Sequence, residues 1–288
     1  MNWVSFLIGL VIFIIVGPCL GCLLAGLDRV ISARMQGRVG PPVLQPLYDV
    51  KKLLRKEAAS VNSAEGTYIA SSLICVIIAG GIFFSGGNFL LCVFVLTLGT
   101  LFFIVAAYST RSPYAEIGAS REIVQVMSYE PMVLLVAVGL YMATGSFDVS
   151  AITNLAVPMI VPCILFFAGF AYVLTIKLRK SPFDFSYSHH AHQELVKGIS
   201  TEMSGRTLAL VEITHWCETV LFLGWIAMFF YLGTPVSAVV AIVVALVVWL
   251  LEIIVDNNAA RMKWQFMLKS AWLVALFCGV ANILVLGL

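Results

Sequence analysis

The sequence predicts an all-α, polytopic integral membrane protein of about eight transmembrane helices, with both termini on the outer side. Three observations predict it. Of 288 residues, 61% are hydrophobic and only 11% are charged, whereas about a quarter of a soluble domain is charged. Apolar runs near the roughly 20 residues needed to cross a bilayer recur along the whole chain. All 17 Lys and Arg fall on one side of those runs. The same numbers exclude an ordinary soluble domain, a disordered chain and a disulfide-stapled scaffold. A net charge of +2 argues against nucleic acid as a partner.

Helices that are apolar all round have no useful periodicity, so long apolar runs bounded by charge, Gly and Pro define the spans. They cover about 3–28, 66–86, 88–109, 121–144, 157–177, 208–231, 235–255 and 267–287. The first run, Trp3 to Leu27, precedes the first basic residue, Arg29. A secretory signal would open on a basic region, so the run reads as a retained transmembrane helix. Tight turns such as Gly86-Gly87-Asn88 and Gly233-Thr234-Pro235 join neighbouring spans. No internal repeat or low-complexity stretch interrupts the chain, so 1–288 reads as a single membrane domain.

The basic residues orient it. Arg29, Arg34, Arg38, Lys51, Lys52, Arg55 and Lys56 follow the first span; Arg111 and Arg121 separate the third and fourth. Lys177, Arg179, Lys180, Lys197 and Arg206 lie between the fifth and sixth, and Arg261, Lys263 and Lys269 between the last two. Lys and Arg stay cytoplasmic during insertion. The expected location is therefore the cell membrane, with the main loops cytoplasmic. Of the 15 acidic residues, only Asp148 belongs to an outer loop.

Two inner loops, about 29–65 and 178–207, form the expected cytoplasmic docking surface. In the first, Val43, Leu44, Leu47, Val50, Leu53 and Leu54 follow helical spacing with charges between them, the pattern of a helix lying in the membrane interface. The second holds SPFDFSYSHHAHQELVKGISTEMSG. A loop of this length is usually functional or disordered. His189 with His192, and His190 with Glu194, are spaced to share a helix face.

Ionisable groups inside hydrocarbon are costly and mark ion paths or partner charges. The fourth span carries Arg121, Glu122 and Glu130. From a start at Arg121, Glu130 lies about 14 Å deep at 1.5 Å per residue. The sixth carries Glu212, His215 and Glu218, each three residues from the next, so His215 can reach both carboxylates. The seventh ends with Glu252 and Asp256. Such a string can pass protons, with His titrating near neutrality; the alternative is a set of neutralising pairs between helices. No span holds a central lysine, and one span histidine cannot supply a haem b axial pair. The seven cysteines (Cys19, Cys22, Cys75, Cys92, Cys163, Cys217 and Cys278) lie in apolar runs without the four-cysteine pattern of an iron–sulfur cluster. No cofactor and no metal are expected in this chain, which points to a subunit of something larger.

Three stretches carry a resemblance. DRVISARMQGRVGPPVLQPLYDVKKLLRKE, EIGASREIVQVMSYEPMVLL, and SPFDF with HQELVKGISTEMSG resemble the membrane subunit shared by respiratory complex I, in which it is called the H subunit, and the energy-converting nickel–iron hydrogenases. They span positions 28 to 205. Quinone-dependent members have a longer first loop; here Gly40-Pro41-Pro42-Val43-Leu44-Gln45 is contracted. Two glutamates that quinone enzymes place ahead of the one matching Glu194 look like His190 and His192 here. The His-His-Ala-His run is similar to the Ech-type, ferredoxin-linked hydrogenases. In the sixth span the complex I glutamate falls near Trp216, so Glu212 and Glu218 are singled out by this chain's own residues.

The resemblance implies a coupling subunit in an oxidoreductase complex. Its partners would be hydrophilic nickel–iron hydrogenase large and small subunits, a polyferredoxin-like iron–sulfur subunit and an antiporter-like membrane subunit. The iron–sulfur clusters and the nickel–iron centre would lie in those partners. Matching residues are Arg34, Arg38 and Asp49 in the first loop, Arg121, Glu122 and Glu130 in the fourth span, and Asp184, Glu194 and Glu202 in the third inner loop. Electron arrival would change protonation or pairing in that loop, with His189, His190 and His192 as a switch near neutral pH. Glu122, Glu130, Glu212, His215 and Glu218 would relay the change. The rival readings are a quinone-linked complex I subunit, a stand-alone ion transporter and a passive anchor.

Overall fold

A computed structural model describes residues 3–57, 62–180, 182, 183, 186 and 198–287. Among these residues the fold is helical. Seven helices are long and apolar enough to cross a membrane, and an eighth is shorter. They are α1 (Trp3–Met35), α3 (Ser63–Phe84), α4 (Phe89–Ser109), α5 (Pro113–Thr144), the short α6 (Ile164–Lys177), α7 (Gly205–Met228), α8 (Pro235–Asn258) and α9 (Trp264–Gly287). The amphipathic α2 (Gln45–Arg55) lies between α1 and α3. A π-turn occupies Ala275–Val280 within α9.

Local chemistry sets the helix ends. The Asn62 side chain accepts from Ala64 N at 3.1 Å and the Asn88 side chain from Leu91 N at 3.0 Å, each satisfying an orphan amide of the first turn. Pro113 and Pro235 open α5 and α8, where a missing amide costs nothing. Gly145 ends α5 at φ +73°, the left-handed stop that glycine tolerates. The short α6 is capped by another helix. Asn282 of α9 accepts from Leu165 N at 3.0 Å and donates to the Pro162 carbonyl at 2.9 Å.

Two helices outrun their apolar segments. The first span was expected to stop near 28, yet α1 continues to Met35, because no Gly or Pro lies between Asp28 and Gly37 (φ +69°). The fourth was expected to begin at 121; α5 begins at Pro113. Arg121 is therefore eight residues inside the helix, and Glu130, 17 residues in, sits near its middle. Conversely, the expected 157–177 span keeps only its last 14 residues as α6, after the turns around Pro158 and Pro162.

The connections gather at two ends. At one, Phe89 N donates to Phe147 O at 2.8 Å and Ile160 N to Phe229 O at 2.9 Å, tying together the α3–α4, α5–α6 and α7–α8 connections. At the other, Asn62 reaches Ser109 O, Gln36 reaches Asn257, Met262 N donates to Pro182 O, and Lys180 pairs with Asp28. Every described Lys and Arg belongs to this second end or to the helical turns leading from it. The short α6 runs from the first end to the second, so the structure has eight traversals.

The core lies between α3, α4, α5 and α7. Trp225 is buried against Phe89 (ring centroids 5.0 Å apart), Phe222 (5.5 Å) and Phe170 (6.0 Å). Close crossings use glycine: a Cβ on Gly21 would sit 2.3 Å from Trp216 O, so α1 meets α7 backbone to backbone. The outer faces of α1, α8 and α9 expose large apolar side chains such as Val239, Leu246 and Leu250, as lipid contact requires. In α2, Val50 and Leu53 pack on Cys22, Ala209 and Trp216, while Leu47, Tyr48 and Leu54 remain exposed, the two-faced arrangement its sequence predicts.

Candidate functional site: a buried carboxylate–cation chain

The α6–α7 connection meets α5 at Glu122. Its carboxylate is 3% exposed and accepts from Arg179 Nη2 at 3.0 Å; the guanidinium is 8% exposed. The Ser186 hydroxyl donates to the other oxygen of Glu122. The Ser186 amide donates to Gln125 Oε1, one turn along α5, at 3.2 Å. Arg179 stands at φ +55°, a left-handed conformation that is costly for a residue with a Cβ. It occupies the turn after α6, where Lys180 N closes on Thr175 O at 2.9 Å and glycine is the usual choice. The arginine in this strained position sends its guanidinium inward to Glu122.

Two residues earlier, Lys177 is drawn inside. Its Nζ lies 3.5 Å from the Tyr129 ring centroid and 4.9 Å from that of Phe222, a cation held on aromatic faces. The carboxylates acting on it are Glu218, Glu122 and Glu130. Glu130 accepts from the Thr97 hydroxyl of α4 at 3.0 Å. Bonds join Ser186 and Arg179 to Glu122; further in, Lys177 rests on the Tyr129 ring within the electrostatic reach of Glu218, Glu122 and Glu130, and Glu130 lies mid-way along α5.

A cavity of about 460 Å³ opens beside it, between α1, α7 and α8 at the basic end. Asp28, Lys177, Arg179, Lys180, Glu212, His215, Glu218 and Asp256 line it. Lys180 bonds Asp28 and lies 3.6 Å from Asp256. Carboxylates, cations and one imidazole on a single wall can exchange protons through water.

The sequence profile of the family described as NADH dehydrogenase matches residues 7–287. The chain belongs to this family. It is 30% identical over 278 residues to hydrogenase-4 component C of Escherichia coli K12, covering 87% of each chain. It is 29% identical over 280 residues to formate hydrogenlyase subunit 4 of the same organism, covering 87% of this chain and 89% of that one. The H subunit of the NADH-quinone oxidoreductase of Dehalococcoides mccartyi is 26% identical over 311 aligned positions, covering 98% of this chain and 86% of that one. A chain of the membrane-bound sulfane sulfur reductase, an archaeal respiratory membrane complex, superposes with a TM-score of 0.84, covering 96% of this chain and 99% of that one at 22% identity. That likeness establishes the fold.

In this NADH dehydrogenase-family chain, Glu212, His215 and Glu218 line the cavity, whereas Glu122 meets Arg179 and Ser186 and Glu130 meets Thr97. The spacing of Glu212, His215 and Glu218 along α7 brings all three to the lining of the cavity. His215 also sets its ring edge-on to Phe103, centroids 6.1 Å apart. Arg121 is not on that wall; the cation that meets Glu122 is Arg179. In the first loop, Asp49 ties α2 to α1 through Arg29 at 2.7 Å and accepts from Gln45 at 2.9 Å. Arg38 bonds Gln36 at the cavity mouth, and Arg34 is exposed. Asp184, His189, His190, His192 and Glu194 lie outside the described residues, whereas Glu202 is described and half-buried. Two residues escaped the sequence reading. Lys177 counts as a loop cation there, although its place at the end of an apolar run allowed it to turn inward. Glu65 counts as a loop acid and is fully buried. Among the described residues, no three His, Cys, Asp or Glu side chains converge as a metal-ligand set.

Proposed function

We propose that this chain is the membrane anchor and coupling subunit of an energy-converting hydrogenase complex. It would link ferredoxin-dependent proton reduction, or hydrogen oxidation, to H⁺ or Na⁺ translocation. The observation that carries this reading is the row of buried charges from the Ser186 segment to Glu130, bonded at Glu122 and linked electrostatically through Lys177. A change at the α6–α7 connection reaches the middle of the bilayer through it. The hydrogen-linked names of two relatives support the hydrogenase branch. The proposed partners are hydrophilic hydrogenase large and small subunits, a polyferredoxin-like iron–sulfur subunit and an antiporter-like membrane subunit. The basic end faces the cytoplasm, and the cell membrane is the site of assembly.

The mechanism follows from the bonds. Ser186 gives Glu122 a hydroxyl donor and takes hold of Gln125 by its amide. When a partner's redox event moves the connection, Glu122 loses that donor and leans more heavily on Arg179. The pull that Arg179 and Lys177 exert on Glu218 and Glu130 changes with it. The histidines of 189–192 and the acids Asp184, Glu194 and Glu202 form the switch on the loop side, and Arg34, Arg38 and Asp49 the surface on the first-loop side. A Glu130→Gln variant in the assembled complex tests the relay: the ions moved per hydrogen evolved fall sharply. Normal pumping at an unchanged ratio overturns it.

The cavity favours a second reading, a quinone-linked subunit. Its volume lies in the range of small-molecule sites, and one relative is a quinone oxidoreductase subunit by name. Saturable binding of a quinone analogue to the purified complex, abolished by His215→Trp in the cavity wall, would favour it.

A further inference from the structure

We infer that Glu65 is the head of a second proton entrance, which runs between α3 and α7 and joins the carboxylate chain at Glu218. The inference rests on the relay reading above. Glu65 is 0% exposed, in the first turn of α3. Neither carboxyl oxygen has a hydrogen-bond donor in bonding geometry among the described residues. The polar groups beside it are the Thr207 hydroxyl and the half-buried Glu202. The Thr207 proton is already given to the Ser204 carbonyl at 2.8 Å, and Glu202 brings a like charge. A bare carboxylate in such a place is strongly unfavourable, so Glu65 holds a proton in the resting fold. Among the described residues this acid accepts no hydrogen bond and pairs with no cation.

The path inward is written in hydroxyl spacing. From Glu65, one face of α3 continues through Ile69 to Ser72. From Thr207, one face of α7 continues through Val211 and Thr214 to Glu218. These steps of four, three and four residues stay in line on a helix. At the upper level a cavity of about 10 Å³ is lined by Ser72, Thr100 and Thr214 together with His215, Glu218 and Arg179. That is room for about one water molecule. The Thr214 and Thr100 hydroxyls donate to their own helix carbonyls at 2.8 Å, which leaves their lone pairs to accept from that water. Thr100 donates to the carbonyl of Thr97, whose own hydroxyl bonds Glu130. Ile69 and Val211 fill the level between Glu65 and the cavity, so the path is dry at rest. A proton leaves Glu65 when water enters that level. The acid O–H bond breaks, the water carries the proton to Glu218, and the Glu65 carboxylate is reprotonated from the Glu202 side.

The test uses the intact complex in sealed vesicles, reading ions moved per hydrogen evolved for Glu65→Gln, Thr214→Val and Glu130→Gln side by side. Glu65→Gln is expected to lower the ratio at least fivefold, and Thr214→Val severalfold. An unchanged ratio in Glu65→Gln, with a collapsed one in Glu130→Gln, overturns the entrance and leaves the relay standing. Unchanged ratios in both overturn the relay and the entrance with it. Should Glu65→Gln not assemble, Thr214→Val, nearly the same shape, decides in the same way. Redox-difference infrared spectra add a direct readout: a protonated carboxyl band that moves with ¹³C-glutamate and survives in Thr214→Val is expected. Its absence in the wild-type complex overturns the stored proton.

Discussion

The indole Nε1 of Trp272 donates at 2.9 Å to the main-chain carbonyl of Met127. Met127 lies four residues before Pro131, the proline inside α5, and proline has no amide to give to that carbonyl. A helix facing hydrocarbon must satisfy each backbone group internally, because an orphan there costs several kcal/mol. α9 therefore supplies from outside the bond that α5 lacks, one turn from Glu130. Trp272→Phe keeps the ring and deletes the donor. The expected result is a complex of lower thermal stability, by about 1–3 kcal/mol for the orphaned carbonyl, and a reduced ion-to-hydrogen ratio as the Glu130 turn loosens. A melting curve matching wild type would show that another donor takes over.

Lys177 sits on the Tyr129 ring with Glu218, Glu122 and Glu130 acting on it. Lys177→Met keeps the stem and removes the charge, leaving three acids with Arg179 as the described cation among them. The expected outcome is an assembled complex whose ion-to-hydrogen ratio drops by an order of magnitude. Lys177→Arg is expected to recover only part of it, because the planar guanidinium does not reproduce a point charge above the ring. Equal coupling in Lys177→Met and wild type would remove Lys177 from the chain.

Glu122 and Arg179 form a pair that is nearly dry on both sides. Breaking one member of such a pair costs about 3–5 kcal/mol, because the survivor stays buried and charged. Arg179→Met alone should lower the amount of assembled complex strongly. Arg179→Met combined with Glu122→Gln should assemble better than the single variant, which a blue-native gel would resolve. Additive losses would mean that the two side chains act on different partners.

Much of the fold was legible because charge placement counts helices. Seventeen basic residues on one side are compatible with eight traversals and with few other numbers, and the structure has eight, one of them short. The amphipathic α2 followed from spacing alone. What could not be read were contacts between distant segments. Glu65 falls one residue before the apolar run that marks its span, so it looks like a loop acid, yet it is fully buried with Thr207 of α7 beside it. Lys177 looks like an interfacial cation until Tyr129 and Phe222, from two other helices, are placed around it. The helix ends moved where polar residues continued a helix past its apolar stretch, as Asp28 to Met35 do in α1. Hydropathy reports the solvent rather than the hydrogen-bond ladder.

Gly118 links the α6–α7 connection to α5. A Cβ there would lie 2.3 Å from Ile199 N and 2.7 Å from the Gly198 carbonyl carbon, backbone atoms that no rotamer change can clear. The 198–200 turn would have to move. Ile199 N donates to Ser186 O at 3.1 Å, and Ser186 donates to Glu122, so the displacement passes directly to the head of the carboxylate chain. Gly118→Ala is expected to cut the ion-to-hydrogen ratio severalfold with every residue of the chain still in place. Gly66→Ala is the control. It adds the same methyl to a helix facing the start of α7, where its Cβ would meet Thr207 Cγ2 at an ordinary 3.6 Å. Gly66→Ala should therefore behave as wild type. If Gly118→Ala couples as well as Gly66→Ala, the contact between Ser186 and Glu122 does not carry the signal.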